Sequence, residues 1–183
     1  IESGLDAVTV ARALSNAHSV SVNRMDVNTR ADGLTVINDA YNANPDSMRA
    51  GIAALGFTAA ARPGVRSIAV LGEMGELGSD SVEAHLALGD ELSRYRITHL
   101  VVVGASEETR VLAERATERG IETHTAHGVD EAAEIVSGIV RTAPPGEENW
   151  RSRTDRDVVL VKATKAVGLW RVAETLLAEP AAA

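Results

Sequence analysis

Leu34-Thr35-Val36-Ile37-Asn38-Asp39-Ala40-Tyr41-Asn42-Ala43-Asn44-Pro45-Asp46 is the stretch on which the fold turns. A short apolar, β-branched run predicts a strand over Leu34 to Asn38, and it ends in a loop of polar side chains. The loop runs straight into a helix start. Asn44 can cap, Pro45 suits the first helical position, and Asp46 puts a carboxylate in the first turn, where the helix dipole favours it. Met48, Ile52 and Leu55 then recur on one helical face. The unit is a strand followed by a helix.

Outward from it the same unit repeats. Ser67 to Leu71 predicts a buried strand, with a helix behind it that has Asp80 and Glu83 at capping-box spacing and Val82, Leu86 and Leu92 inward. Leu100 to Val103 predicts another, closed by Gly104 before a helix from about Glu107. Ile121 to His124 leads into a helix from Asp130 through Val140, and Val158 to Val161 into one that buries Leu169, Val172, Ala173 and Leu176. Upstream, Arg24 to Thr29 and Leu34 to Asn38 flank Ala31-Asp32-Gly33, whose Asp-Gly pair supplies the positive φ of a tight turn. A hairpin and a series of strand–helix units predict an α/β fold. Its sheet is doubly wound, mainly parallel and Rossmann-like, with helices on both faces and an antiparallel edge hairpin. Ala143 to Asp157, polar and Pro-containing, reads as a mobile surface loop. Asp6 to Asn16 carries Ala7, Val10, Ala11 and Leu14 on one helical face before any strand. Residues 1-20 therefore read as the tail of a preceding domain, and residues 21-183 as the α/β domain.

Composition narrows the function. A chain of 183 residues fits one domain, and its formal charge of −8 argues against nucleic acid, because no basic stripe is available for phosphates. The absence of cysteine excludes disulfides and thiolate metal sites. No stretch approaches the roughly 18 apolar residues of a membrane span. The start, Ile1-Glu2-Ser3-Gly4-Leu5-Asp6, lacks the basic head and apolar run of a signal segment, so a soluble cytoplasmic protein is expected. His124 and His127 have no acidic partner at ligand spacing, and no metal site is expected. Of the 18 basic residues only Lys162 and Lys165 are lysines. Either the composition simply favours arginine or a site needs both.

Ligands in open α/β sheets gather beyond the carboxyl ends of the strands. The segments after Asn38, Leu71 and Val161 fall there. No Gly-x-x-x-x-Gly-Lys-Ser/Thr and no Gly-x-Gly-x-x-Gly occurs, so the chain has no phosphate cradle of its own. Gly72-Glu73-Met74-Gly75-Glu76-Leu77-Gly78 carries two carboxylates that would repel a pyrophosphate. It reads either as a tight structural loop or as a holder of a cation or substrate amine. In Asn38 to Pro45, Asp39 can accept from two neighbouring hydroxyls, as a ribose offers, while Asn42 and Asn44 can both donate and accept. Asn44 can equally serve as a cap and Asn42 as a turn residue. Arg24, by composition alone, reads as a solvated surface residue.

Taken in order, Asn38-Asp39-Ala40-Tyr41-Asn42-Ala43-Asn44-Pro45-Asp46-Ser47-Met48, then Val70-Leu71-Gly72-Glu73-Met74-Gly75-Glu76-Leu77-Gly78, then Val159-Leu160-Val161-Lys162, resemble the C-terminal domain of the Mur ligases. The first motif points, within that family, to the branch that joins D-alanyl-D-alanine to a UDP-N-acetylmuramoyl tripeptide in peptidoglycan precursor synthesis. The resemblance covers nearly the whole chain, with residues 1-20 like the end of an ATP-binding central domain. It implies an ATP- and Mg2+-dependent amide ligase in which the peptide carboxylate is phosphorylated and the incoming amine attacks the acyl phosphate. The resemblance implies a catalytic role for Arg24 at the γ-phosphate and for Lys162. It further implies nucleotide contacts from Asp39 on the ribose and from Asn42 and Asn44, with Tyr41, Glu73, Met74, Glu76 and Thr164 facing substrate. The P-loop, the magnesium ligands and the UDP-sugar site would belong to other domains, so this chain alone is expected to be inactive. Two departures are visible: the family's Lys-Gly-Ser is Lys162-Ala163-Thr164 here, where threonine keeps the hydroxyl but alanine gives up the close backbone approach of glycine, and the Ala143 to Asp157 loop is longer than the resemblance leads one to expect. Two other readings stay open, the closing domain of a glutamate-adding, folylpolyglutamate-type ligase, and a non-catalytic binding module.

Overall fold

A computed structural model describes residues 23–147 and 149–179. The helix expected over Asp6 to Asn16 and the boundary at residue 20 lie outside the described residues. Strands β1 (Asp26–Thr29) and β2 (Thr35–Asn38) form the expected antiparallel hairpin. Gly33 N–H donates to Arg30 C=O at 2.9 Å and Arg30 N–H to Leu34 C=O at 2.8 Å. Of the Asp-Gly pair only Gly33 adopts a positive φ, +87°, so the loop needs one left-handed residue where the sequence suggested a pair.

Five parallel strand–helix units run from β2 onward, and their order in the chain is not their order in space. Helix α1 (Pro45–Ala60) follows β2, α2 (Ser81–Arg94) follows β3 (Ser67–Leu71), and α3 (Glu107–Glu118) follows β4 (His99–Val103). Helix α4 (Val129–Arg141) follows β5 (Glu122–Ala126), and α5 (Trp170–Ala178) follows β6 (Val158–Lys162). The sheet runs β1-β2-β6-β3-β4-β5, parallel throughout except at the hairpin. Strands β2, β3 and β6 are buried along their whole length, which is why they read as continuous apolar runs rather than alternating ones. Alternate residues feed two cores. Ile37, Ala69, Leu71 and Leu160 pack with Met48, Ile52, Leu88 and Leu112 from α1, α2 and α3. On the other face Val36, Val70 and Val161 pack with Val136, Val172 and Leu176 from α4 and α5. Chain therefore leaves β2 and β3 toward one face and β6, which lies between them, toward the other. The crevice opened by that reversal is where the three polar loops meet.

Three expectations change. Asp80 does not cap α2 through its side chain, and no capping box forms there. The buried face of α2 is His85, Leu88, Gly89 and Leu92, with Val82 and Leu86 only half-buried, and a 3-10 turn over Gly78–Asp80 leads into the helix. The stretch Ala143 to Asp157 is anchored rather than loose: Trp150 is buried, and Arg66 grips fully buried Asp157 through both oxygens, at 3.0 and 2.6 Å. Burial pushes the Asp157 carboxyl up, and the bonds and charge from Arg66, with the charge of Arg156, oppose that rise without cancelling it.

Candidate functional site

The site is built on the β2–α1 loop. Asn44 accepts from Ser47 N–H at 2.8 Å while Ser47 Oγ accepts from Asn44 N–H at 3.1 Å, a reciprocal cap that fixes where the helix begins. Its side-chain oxygen is thus committed to the helix. Asn42 Oδ1 is likewise turned to the backbone, accepting from Ala43 N–H at 2.9 Å. Each keeps its amide N–H2 to offer a ligand.

Asp39 sits one residue beyond β2 and is almost buried. Its Oδ1 accepts from Met25 N–H at 3.0 Å and its Oδ2 from Lys162 Nζ at 2.5 Å. A carboxylate oxygen can accept twice, so a ribose edge still finds acceptors here, though fewer than the free pair expected. Lys162 reaches a depression beside the loop only along its side chain, with its ammonium turned into the β2–α1 loop. Its side chain is 2% exposed, and its three N–H groups point at Asp39 Oδ2, Asn42 C=O at 3.0 Å and Asp39 C=O at 3.4 Å. The cause is its place at the end of a central strand, where an unpaired ammonium would be costly and the neighbouring loop supplies the counter-charge.

Arg24 lies on a short arch that docks onto the same loop. Asn23 and Met25, on either side of it, both adopt left-handed φ, +64° and +46°. The arch is held by Tyr41 N–H donating to Asn23 C=O at 3.0 Å, by Asn38 Nδ2 donating to Asn23 Oδ1 at 2.9 Å, and by the Met25–Asp39 bond. The exposed guanidinium of Arg24 rests over the Tyr41 ring, 4.3 Å from its centroid, and Lys165 Nζ approaches the same ring at 5.4 Å. Tyr41 thus gathers two cations before it meets any ligand.

Two depressions adjoin here. One, of about 420 Å³, is lined by Arg24, Asp39, Asn42, Asn44 and Lys162 among others. The second, of about 290 Å³, is lined by Asn42, Asn44, Gly75, Glu76, Leu77 and Thr164. Asn42 and Asn44 form the border between them. Strands β3 and β6 stay zipped past their ends, with Gly72 N–H on Lys162 C=O at 3.1 Å and Thr164 N–H on Glu73 C=O at 2.9 Å, which brings Glu76 and Thr164 together.

Met74 and Glu73, expected to face substrate, line neither of these two depressions. Met74 is buried in the core shared with α2, and its N–H donates to His85 Nε2 at 3.0 Å. Glu73 places its Oε1 beside Gly104, where an added Cβ would lie 3.7 Å from it. The Ala163 departure lies in the core and not on the surface of either depression. Its methyl is fully buried, directed at Gly72, where an added Cβ would come within 3.0 Å. Sequence reading passed over His85, which holds the Gly72–Gly78 loop through that Met74 bond while its Nδ1 meets Ser81 C=O at 2.7 Å. No spacing rule marks such a residue, since its partners are backbone. Lys165 was flagged only by the scarcity of lysine.

Comparison with known proteins agrees with this geometry. Residues 23–165 match the family described as Mur ligase, glutamate ligase domain. The chain is 43% identical over 185 residues to the UDP-N-acetylmuramoyl-tripeptide–D-alanyl-D-alanine ligase of Mycobacterium tuberculosis strain H37Rv, covering 98% of this chain and 36% of that protein. It is 27% identical to the enzyme of the same name from Bacillus subtilis, covering 97% of this chain and 35% of that protein. Among solved structures, MurF from Acinetobacter baumannii superposes with a TM-score of 0.75 at 23% identity, over 96% of this chain and 35% of that one. The MurF ligase of Thermotoga maritima in complex with ADP superposes at 0.59 with 26% identity, over 92% and 35%. The chain thus spans about a third of the length of the relatives it matches.

Proposed function

Because the chain belongs to the Mur ligase family, we propose that it is the closing domain of an ATP-dependent ligase that adds D-alanyl-D-alanine to a UDP-N-acetylmuramoyl tripeptide in the cytoplasm. The observation that carries this reading is the pair of adjoining depressions at the sheet's reversal point, one with Arg24 and Asp39, the other with Glu76 and Thr164. The first suits a nucleotide. Asp39 offers remaining acceptor capacity to ribose hydroxyls, Asn42 and Asn44 offer amide donors, and Arg24 brings a cation to the transferring phosphoryl, where negative charge develops. The second suits the acceptor dipeptide, with the Glu76 carboxylate for its ammonium and the Thr164 hydroxyl for its polar backbone. ATP would be shared with a central domain that supplies the phosphate cradle, and no residue of this chain is assigned to magnesium. A positioned arginine on a closing domain makes domain closure a condition of chemistry and excludes water while the acyl phosphate lasts. The glutamate-adding reading is less favoured, because the relatives matched over nearly the whole chain are named for the dipeptide.

The test is phosphate release by the full-length protein given ATP and the UDP-tripeptide. D-alanyl-D-alanine should stimulate release and glutamate should not; equal stimulation by glutamate would overturn the substrate assignment. The 183-residue chain given the same mixture should release none.

A further inference from the structure

Lys162 and Asp39 are the buried pair at the heart of the site, and neither is arranged as a free reacting group. We propose that the Lys162–Asp39 pair is a positioning device that sets the Arg24 arch, so that Lys162 acts on turnover through Arg24 and not on the substrate. The inference rests on the reading of Arg24 as the group that meets the transferring phosphoryl.

Lys162 is the last residue of β6, a strand paired on both sides by β2 and β3, so its stem rises from the interior of the sheet. The stem passes α1 at Gly51, where an added Cβ would lie 3.2 Å from Lys162 Cδ, so the helix has a glycine where the lysine runs. The ammonium then meets Asp39 Oδ2 at 2.5 Å with its remaining N–H groups on backbone carbonyls of Asp39 and Asn42. No donor is left for a substrate. The Asp39 carboxylate, held by one oxygen, uses the other to accept the Met25 N–H at 3.0 Å. That bond restrains one end of an arch whose two flanking residues are both left-handed without being glycine, a conformation that persists only where neighbours enforce it. Without the ammonium, Asp39 becomes an uncompensated buried charge, and the carboxylate gains by turning to water. The Met25 bond goes with it, and Arg24 loses its fixed base.

Two measurements test this. In the 183-residue chain, amide hydrogen exchange at Met25 should be slow, and Lys162→Met should speed it at least ~10-fold while core amides such as Val101 and Leu160 stay protected. Should Lys162→Met fail to fold, Lys162→Gln, which keeps a donor for Asp39 without its charge, is read the same way. Unchanged Met25 exchange in the folded variant overturns the proposal. In the full-length ligase, Lys162→Met should lower kcat by ~10- to 100-fold, as expected for a misplaced catalytic group, with KM for the dipeptide little altered. In an Arg24→Ala background the same substitution should cost less than ~3-fold more, because the two changes share one route. An equal fold-loss in both backgrounds overturns the proposal by showing that Lys162 acts independently of Arg24. Faster Met25 exchange with turnover untouched also overturns the proposal, whereas unchanged kcat in Arg24→Ala alone would defeat the phosphoryl reading of Arg24 on which it rests.

Discussion

Arg24 and Gly72 show how much a single residue depends on what surrounds it. The Arg24 guanidinium is exposed on an arch fastened at three points, which leaves its charge free for a ligand while fixing where that charge stands. In the full-length ligase Arg24→Ala should depress kcat by ~10³-fold or more, the lower range for arginines serving transferring phosphoryl groups, while KM for the dipeptide changes little. Equal losses in both would argue for a binding role in place of a phosphoryl one. At Gly72 the relevant neighbour is Ala163. Gly72→Ala would place two methyls 3.0 Å apart, with Val167 and Leu169 close behind, and should destabilise by about 1 kcal/mol or more as overpacking does. Ala163→Gly in the same chain should restore most of the loss. A double variant no more stable than Gly72→Ala alone, by urea unfolding, would show that the methyl contact is not the cause.

Elements differ in how they are started. Helix α1 has a reciprocal Asn44–Ser47 cap and a proline at its first turn, whereas α2 has Asp80 at its N-cap with no side-chain capping bond and is led in by a 3-10 turn. Asn44→Ala should therefore cost about 1 kcal/mol of stability, the usual worth of a cap. Asp80→Ala should stay within about 0.5 kcal/mol, as surface changes do. Paired thermal or urea unfolding curves decide it, and a loss at Asp80 as large as that at Asn44 would contradict the assignment. The two helices carried comparable start signals in sequence. Only the backbone path into each helix separated a working cap from a coincidence of spacing.

Across the whole molecule, the amino ends of the strands are tied by charge. Asp32 in the hairpin meets Arg30 and Arg156, Arg30 reaches Leu176 C=O on α5 at 2.7 Å, and Arg156 reaches Val140 C=O on α4 at 2.6 Å. Burial raises the Asp32 carboxyl, but the Arg30 and Leu34 hydrogen bonds, with the charges of Arg30 and Arg156, outweigh it and hold the group below its ordinary value. A folded-state value below the unfolded one gives stability that is complete above the ordinary carboxylate range, near pH 4, and is lost as pH falls through the folded value. Asp32→Asn should lower stability at pH 7 and flatten its decline below about pH 4. Parallel stability curves for the two proteins down to pH 2 would refute the link. The sequence by itself determined the strand–helix series, the doubly wound sheet, the hairpin, the cap at Asn44 and the three loops that form the site, because hydrophobic period and turn chemistry are local. It could not decide that Met74 lies in the core, that Glu73 sits beside Gly104, that Lys162 is a strut for Asp39, or that Trp150 and Asp157 anchor the long loop. Those outcomes depend on which strands become neighbours. The order β2-β6-β3 sets residues about 120 positions apart against each other, and only there do a buried ammonium and carboxylate find one another.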